Sequence, residues 1–459
     1  MNKIKPIHLA VIVAVALLLA IWNPLGLDFN QSIVLASLVI TVASWATEAI
    51  NKTYACLFLL LMFVLFGKAN PYDIVSFVWS DTILLIATTT LLSVGIMKTG
   101  IIHHYVEILF RKSASSKILL LLLPYFFGIV LVFLIPQAFA RVIIIGAIFS
   151  QLLQATTDEQ KKTKDFLIFN GFLAVTMTYM FFNNGDIVLN QATLKFAGPE
   201  VLESLDFNHW FSLMSVPTFI ACIIMLGVTY LLFKNELSAF TPSMIIRTSA
   251  DEKKQITMGQ KISLLVMAII IGFWMTESMH HIKPWIPALV GVVMMFVLNV
   301  LEKSDLKSVN PHFLIFLITV FSIGKVLGQA GITQVIFEHL KAFIPEGGSG
   351  MYLLVIAAVV MILHICIGSS VATMSVVLPI IVPLTMSQGY KAEIVTLMTY
   401  IIVNIHFLLP FHHATMMIGT AKQYYPDKYM LRLGSVMTVL TFVILAAVYF
   451  QWWKLMGVM

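Results

Sequence analysis

Residues 118–154 read ILLLLLPYFFGIVLVFLIPQAFARVIIIGAIFSQLLQ, and this stretch decides the fold of the chain. As one helix it would extend roughly 55 Å at about 1.5 Å per residue, whereas the hydrocarbon core of a bilayer is about 30 Å thick. Pro136 and Gln137 interrupt it near its centre. The stretch therefore predicts a helical hairpin that enters and leaves the membrane on one side. Its tip must lie in protein or line a watery cavity, because lipid cannot hydrogen-bond exposed backbone.

A second stretch of this kind occupies residues 351–388 and carries Gly-Ser-Ser at its centre. The two hairpins belong to a longer internal repeat. Residues 45–48 (WATE) recur as 274–277 (WMTE), and residues 95–100 (GIMKTG) recur as 324–331 (GKVLGQAG) in the same order and at a nearly constant offset. In an apolar chain, such a repeat is typical of transporters that alternate about a site between two halves.

The composition indicates the class of protein. A hydrophobic fraction of 59% and a charged fraction of 11%, with a mean hydropathy of +0.95, leave too little polar surface for a soluble protein. We therefore predict an all-α polytopic membrane protein, whose net charge of +6 does not indicate nucleic-acid binding. The first apolar segment is predicted to be a membrane helix rather than a signal peptide. Cys56, Cys222 and Cys366 lie in apolar stretches and are predicted to be buried thiols.

Charge placement predicts the topology. With the N-terminus inside, most of the 28 Lys and Arg residues fall in cytoplasmic segments, as the positive-inside rule requires, if the chain has eleven transmembrane helices and two re-entrant hairpins that do not cross. An odd number of crossings in each half makes the repeat inverted, with the C-terminus outside. The predicted divisions are a first helix and loop (1–32), a first repeat (33–234) whose hairpin 118–154 opens to the cytoplasm, a cytoplasmic linker (235–260), and a second repeat (261–459) whose hairpin 351–388 opens to the outside.

This duplicated order of Trp-x-Thr-Glu, a Gly-ended helix, a polar hairpin tip and a broken helix resembles the divalent anion/sodium symporter family. The resemblance implies transport of dicarboxylates, citrate or sulfate, and a homodimer. It also implies a Ser-Asn-Thr triplet at each tip, which falls here on residues 137–139 (QAF) and 369–371 (SSV). The chain is thus an atypical member that lacks both triplets.

The loss of these triplets bears on sodium. A hard cation prefers several oxygen ligands, and the positions where the family has a further hydroxyl are Phe133 and Ile365. The remaining possible sodium ligands are Ser369, Ser370 and Thr373. We therefore expect no cofactor or other metal, and sodium only if the second tip supplies its ligands.

Candidate substrate-binding residues are the polar groups at the two tips and the two helix breaks. A guanidinium at a tip can bind a carboxylate bidentately, and unwound backbone and amide groups can complete a pocket. These candidates are Gln137, Arg141, Asn183, Asn184, Ser369, Ser370, Thr373, His412, His413 and Thr415.

Proton-coupling candidates are ionisable groups in the apolar segments, since such groups are costly and usually mark a pathway, a relay or a ligand contact. Histidine changes charge near neutral pH, which suits proton coupling. These candidates are His364, His406, His412, His413 and Asp186.

The sequence thus predicts a secondary active transporter of small organic anions, resembling di- and tricarboxylates, that works by an elevator-type alternating-access mechanism. We expect anion exchange or proton coupling, with the lipid bilayer, an anionic substrate and a second copy of the chain as partners. Two alternatives stay open: a cation/proton antiporter or arsenite-type exporter, and a conventional sodium/dicarboxylate or sulfate symporter. No hydrolase or protease motif is present, so an enzyme is not expected.

Overall fold

The computed structural model describes residues 6–47, 49–245, 257–341, 350–409 and 412–459. Every regular element in those ranges is helical, which confirms the all-α prediction; an isolated backbone bridge joins Leu153 to Ile245. Glu48, Pro410 and the central part of the predicted linker 235–260 lie outside the described residues.

The first half begins with α1 and continues through two helix interruptions. Its helices are α1 (Pro6–Trp22), α2 (Phe29–Thr47), α3 (Lys52–Phe66), α4 (Pro71–Ser76), α5 (Asp81–Lys98), α6 (Ile101–Lys112), α7 (Lys117–Leu134), α8 (Ala138–Leu152), α9 (Asp158–Thr178), α10 (Ile187–Ala197), α11 (Pro199–Ser204) and α12 (Phe207–Ser238).

The second half repeats this order from α2 onward, with small differences in its short helices. Its helices are α13 (Met258–Met275), α14 (Glu277–His280), α15 (Trp285–Val297), α16 (Pro311–Gln329), α17 (Ile332–Lys341), α18 (Gly350–Ile367), α19 (Ser370–Met386), α20 (Ala392–Ile405), α21 (Ala414–Ala421), α22 (Asp427–Ile444) and α23 (Phe450–Leu455).

Two glycines mark the same corner in both halves. Gly100, with φ 68°, separates α5 from α6, and Gly331, with φ 76°, separates α16 from α17. A left-handed residue can end a helix without the steric cost that a side chain adds, so glycine is favoured there. The repeated glycine motifs of the sequence therefore correspond to repeated helix ends.

Six helices in the described ranges are each long and apolar enough to span a membrane by themselves: α5, α7, α12, α13, α16 and the continuous segment Asp427–Leu455. Shorter apolar helices accompany them, among them α1, α8, α18, α19 and α20. The chain is thus a multi-pass membrane protein, while the count of eleven crossings stays a prediction.

Each predicted hairpin consists of two helices joined by a short extended segment. Residues 135–137 separate α7 from α8, and residues 368–369 separate α18 from α19. Gln137 and Ser369 stand at equivalent positions, immediately before the second helix of their hairpins. The helix breaks follow in each half, at residues 182–186 before α10 and, among the described residues, at 406–409 and 412–413 before α21.

The break at residues 182–186 turns too tightly for a side chain at Gly185. A Cβ atom there would overlap the carbonyl oxygen of Tyr179, and the Gly185 amide donates to the carbonyl of Phe182 at 2.9 Å. Glycine avoids that overlap because it has no Cβ atom.

The helices form two packing groups. In one, helices from the early part of both halves pack together, α3 against α2 and α16, and α15 against α5 and α13. In the other, both hairpins and both broken helices pack together, α9 against α7, α8 and α12, and α19 against α10 and α20. We call these the early-helix group and the hairpin group; they contact each other chiefly through α16 and α19.

The prediction that all three cysteines are buried is wrong for one of them. Cys56 and Cys222 are buried, whereas Cys366 near the end of α18 is exposed. The neighbouring Ile362 is 59% exposed, so this face of α18 points away from the protein, and apolar neighbours in sequence did not imply burial.

Candidate functional site

The first hairpin tip docks on the break of its own half. The amide of Ile187 donates to the carbonyl of Pro136 at 3.1 Å, which joins the start of α10 to the tip. Arg141, on the first turn of α8, donates through Nη2 to the carbonyl of Gly185. Gln137 reaches the other packing group, where it donates to the hydroxyl of Thr90 on α5.

Arg141 is the largest charged side chain that the fold buries completely, with 0% of its surface exposed. Its Nε and Nη1 atoms have no hydrogen-bond partner. Asp186 forms no ion pair with it in the described ranges; instead, the Asp186 carboxylate accepts from the amide of Val188 at 3.4 Å and caps α10. The Asp186 carboxylate still attracts the guanidinium electrostatically from a longer distance. Two buried guanidinium nitrogens without an acceptor nevertheless remain costly.

Asn184 adjoins the Arg141 contact and is also unpartnered. It is 4% exposed, and neither its amide nitrogen nor its amide oxygen has a hydrogen-bond partner. Its neighbour Asn183 instead donates to the carbonyl of Leu205 at 3.5 Å. The first tip and break thus contain two buried residues with unused donors, Arg141 and the Asn184 that precedes its Gly185 acceptor.

The second tip docks on its own break in the same manner. The hydroxyl of Ser370 donates to the carbonyls of Val403, at 3.2 Å, and His412, at 3.1 Å. Ser369 caps α19 in extended conformation without a side-chain hydrogen bond to the helix. Thr373, at the position equivalent to Arg141, lies 3.0 Å from Nδ1 of His364.

Three of the predicted proton-coupling histidines form one cluster. The ring centroids of His364, His406 and His412 are 5.5–6.0 Å apart, and all three side chains are fully buried. Both ring nitrogens of His406 lack a hydrogen-bond partner, whereas Nδ1 of His412 accepts from the amide of Leu408 at 3.2 Å. We call these three residues the histidine cluster.

His413 lies outside this cluster. Its Nε2 atom is 2.8 Å from the hydroxyl of Tyr179, and its Nδ1 atom is 2.8 Å from the hydroxyl of Thr415. Thr415 in turn contacts the hydroxyl of Thr176 at 3.0 Å. Both ring nitrogens of His413 are therefore engaged with protein groups, and Thr415 is part of the same chain of contacts.

The sequence predictions missed the residues that connect the halves. Tyr179 donates to the amide oxygen of Asn404, and Tyr400 donates to Asn190 at 2.8 Å. Asn190 donates in turn to the carbonyl of Phe182 at 2.8 Å. The available signal was a side-chain amide or phenol within an otherwise apolar segment, which the bilayer makes costly unless it is paired.

Four helices begin at these tips and breaks: α8, α10, α19 and α21. Hydrogen bonds bring the amino-terminal ends of these helices together in pairs. The carbonyl of Pro136 joins α8 to α10, and the hydroxyl of Ser370 joins α19 to α21. The amino-terminal end of a helix carries a partial positive charge. The starts of α8, α19 and α21 together with Arg141 favour an anion, whereas the start of α10 is already capped by the Asp186 carboxylate.

No set of three or more His, Cys, Asp or Glu side chains within the described ranges is arranged to hold a metal ion. Of the possible sodium ligands, Ser370 and Thr373 have hydroxyl groups that already contact protein atoms. The sodium assignment stays a prediction.

A helical bundle in which two hairpin tips meet two helix breaks has the architecture of a membrane transporter. The family model for the sodium:sulfate symporter transmembrane region matches residues 3–459. The chain therefore belongs to the sodium:sulfate symporter family, and the resemblance predicted from the sequence is confirmed.

A solved structure gives the fold independent support. The chain is similar to the YdaH transporter of Alcanivorax borkumensis, whose crystal structure is described as having an unusual topology, with a TM-score of 0.52 at 13% identity over 88% of this chain and 97% of that one. At this identity the likeness concerns the fold. No curated protein matched the sequence.

Replacement of Tyr179 by Phe tests the connection between the halves. The change removes the hydrogen bonds to Oδ1 of Asn404 and Nε2 of His413 and leaves those two buried atoms without partners, so we expect the free energy of unfolding to fall by about 1–3 kcal/mol. Thermal unfolding of the purified protein in detergent measures the loss. Tyr54→Phe is the matched control, because Tyr54 is 65% exposed; equal unfolding temperatures for the two variants would contradict this role.

Proposed function

We propose that the chain is a secondary active transporter of small organic anions of the di- and tricarboxylate type. The observation that carries the proposal is Arg141, which is fully buried, has two nitrogens without partners and lies where α8 and α10 begin. Membership of a family whose printed description is a sodium:sulfate symporter supports anion transport in general. The preference for carboxylates is our inference from the site.

The charge at the site favours a multivalent anion. Asp186 attracts the Arg141 guanidinium only from a distance, so burial of this cation remains costly. A carboxylate that accepts two parallel hydrogen bonds from the guanidinium offsets that cost with directional bonds. A second carboxylate of the same ligand has polar partners in Asn184 and the starts of α19 and α21. The histidine cluster lies on this second side, where protonation would add positive charge.

The two packing groups support an elevator-type mechanism. Both tips and both breaks belong to the hairpin group, so a bound anion would travel with that group relative to the early-helix group. The hydrogen bond from Gln137 to Thr90 crosses between the groups. Such a mechanism requires this contact to break and re-form during each cycle.

The coupling we propose is anion exchange or proton symport. His406 has no hydrogen-bond partner on either ring nitrogen, so both nitrogens are open to a proton, and a proton taken up there would place a positive charge within the histidine cluster. Arg141 repels a cation at the first tip, which disfavours a sodium site of the kind that needs several oxygen ligands. Asp186, the remaining proton-coupling candidate, is engaged as a helix cap.

The proposed setting is the cytoplasmic membrane, with the N-terminus inside and the C-terminus outside, following the distribution of basic residues. A homodimer is proposed from the family resemblance. The chain acts as a carrier in this proposal and not as an enzyme.

Substitution of Arg141 tests the anion site. We expect citrate or succinate to raise the unfolding temperature of the wild-type protein, because a ligand that binds only the folded state stabilises it. Arg141→Lys keeps the charge but loses the planar fork, and should weaken affinity about 10- to 100-fold; Arg141→Ala should abolish the shift. Arg432→Lys is the matched control, since Arg432 lies at the surface and pairs with Glu236.

The same variants are then compared in proteoliposomes loaded with a counter-anion. Loss of exchange in Arg141→Ala with retention in Arg432→Lys supports the site. Equal stabilisation of wild type and Arg141→Ala by carboxylates would place the anion elsewhere, and stabilisation by sulfate alone would change the substrate class.

His406→Asn tests proton coupling. Uptake by the wild-type protein should rise with an imposed inward proton gradient, and the variant should lose this dependence while it retains anion exchange, because the titratable ring is removed and Arg141 is intact. His103→Asn on α6 is the control at a surface histidine. Uptake that ignores the proton gradient and follows a sodium gradient would rule out this coupling.

A crosslink between the packing groups tests the mechanism. The three native cysteines are first replaced. In that background, oxidation of Thr90→Cys/Gln137→Cys should form a disulfide and stop transport. Reduction of the disulfide should return transport to the rate measured before oxidation. The control pair is Thr193→Cys/Met374→Cys, whose native side chains meet at 3.0 Å within the hairpin group. Full transport by the completely crosslinked first pair would contradict relative movement of the groups.

A further inference from the structure

A groove runs along the outside of the hairpin group between α7 and the second half of α12. Both helices pack against α9, and the space between them is a cavity of about 600 Å³. Its walls are apolar, with Ile118 and Leu122 on α7 and Ile223 and Leu226 on α12. We call this cavity the α7–α12 groove.

The apolar walls of the groove face outward. Ile118 is 68% exposed, Ile223 56% and Leu122 43%. In a multi-pass membrane protein, such a surface lies against acyl chains rather than water. The groove therefore accepts the apolar part of a lipid, and a small hydrophilic anion gains nothing from these walls.

One end of the groove is basic. Lys117 and Lys234 line it there, and Lys117 donates through Nζ to the carbonyl of Ser238 at 3.1 Å. Neither lysine forms an ion pair within the ranges that the structure describes, and the nearby Glu236 is paired with Arg432 at 2.8 Å. Two lysines without an acidic partner at one end of an apolar groove complement an anionic headgroup.

The length of the groove matches one leaflet. From Leu232 back to Ile223, α12 rises about 14 Å at about 1.5 Å per residue, and Lys234 follows just beyond the non-helical Phe233. Half of a hydrocarbon core of about 30 Å is about 15 Å. Tyr230 lies between these residues, near the basic end, and is 47% exposed. An aromatic residue with a polar tip is favoured at the level of the headgroups.

We propose that the α7–α12 groove binds one anionic phospholipid, with its phosphate between Lys117 and Lys234 and an acyl chain along α7 and α12. The positive-inside distribution places the basic end at the cytoplasmic leaflet. The bound lipid would hold α7, the first arm of the hairpin whose tip carries Arg141, against α12. This proposal concerns lipid and does not depend on which anion is transported.

Native mass spectrometry of the full-length, delipidated protein tests the proposal. The probes are phosphatidylglycerol and phosphatidylcholine with the same acyl chains, and glycerol phosphate as a headgroup without chains. We expect one tightly bound phosphatidylglycerol, with weaker binding of phosphatidylcholine and none of glycerol phosphate. Lys117→Ala/Lys234→Ala should weaken phosphatidylglycerol binding about 30-fold, or about fivefold per lysine, with Lys303→Ala/Lys307→Ala as the surface control.

A second variant tests the apolar part without touching charge. A Cβ atom on Gly227 would meet no atom within 4 Å, so a side chain can start there, and Gly227→Leu should fill part of the groove and displace the acyl chain. Gly272→Leu is the matched control, because Gly272 also lies in a helix with no atom within that distance. Unchanged phosphatidylglycerol binding in both the lysine and Gly227 variants would overturn the proposal, and tight binding of glycerol phosphate would reassign the lysines to a free anion.

Discussion

The whole arrangement depends on the need to hydrogen-bond backbone groups where helices stop inside a membrane. Lipid supplies no donors or acceptors, so each interruption has to be completed by protein. The Trp210 indole donates to the Met180 carbonyl at 3.0 Å, and Asn190 donates to the Phe182 carbonyl. In the second half the Ser370 hydroxyl donates to the His412 carbonyl, and the ring of His412 accepts from the Leu408 amide. The polar residues around the candidate site thus support the breaks as well as any ligand.

This constraint explains why one scaffold carries two different chemistries. Each tip has to satisfy its break, but it can do so with different groups. The first half uses Arg141 on the Gly185 carbonyl and retains unpartnered guanidinium nitrogens. The second half uses Ser370, which leaves Thr373 free to contact His364. The first half therefore buries a guanidinium at this level, whereas the second half buries histidines.

The sequence predicted the interruptions because they have local signals. Gln137 follows a proline and Ser369 follows a glycine in stretches too long for one membrane helix, and both residues do precede a helix start. It did not predict that Tyr179 would contact His413, because such a contact depends on how α9 and α21 pack across the two halves. The grouping of His364 with His406 and His412 has the same origin, since three rings converge only once α18 and α20 are packed.

The different roles of the individual candidate residues also become clear only from the structure. Asp186 is four residues from Phe182 in a break that the sequence marks as polar, yet its carboxylate caps α10 and does not pair with Arg141. The local sequence contains no information on which of two nearby acceptors a guanidinium reaches. Here the carbonyl of Gly185 is the acceptor, because the absence of a side chain allows the break to turn tightly against Tyr179.

The contact of Tyr179 with Asn404 and His413 has an evolutionary consequence. An ancestral half that paired with a copy of itself would have placed identical residues on both sides of this junction. In this chain the phenol from one half meets an amide and an imidazole from the other, and the first half supplies Arg141 where the second supplies Thr373. The junction thus requires different residues from each half, so a second copy of either half could not replace the other without loss of these contacts.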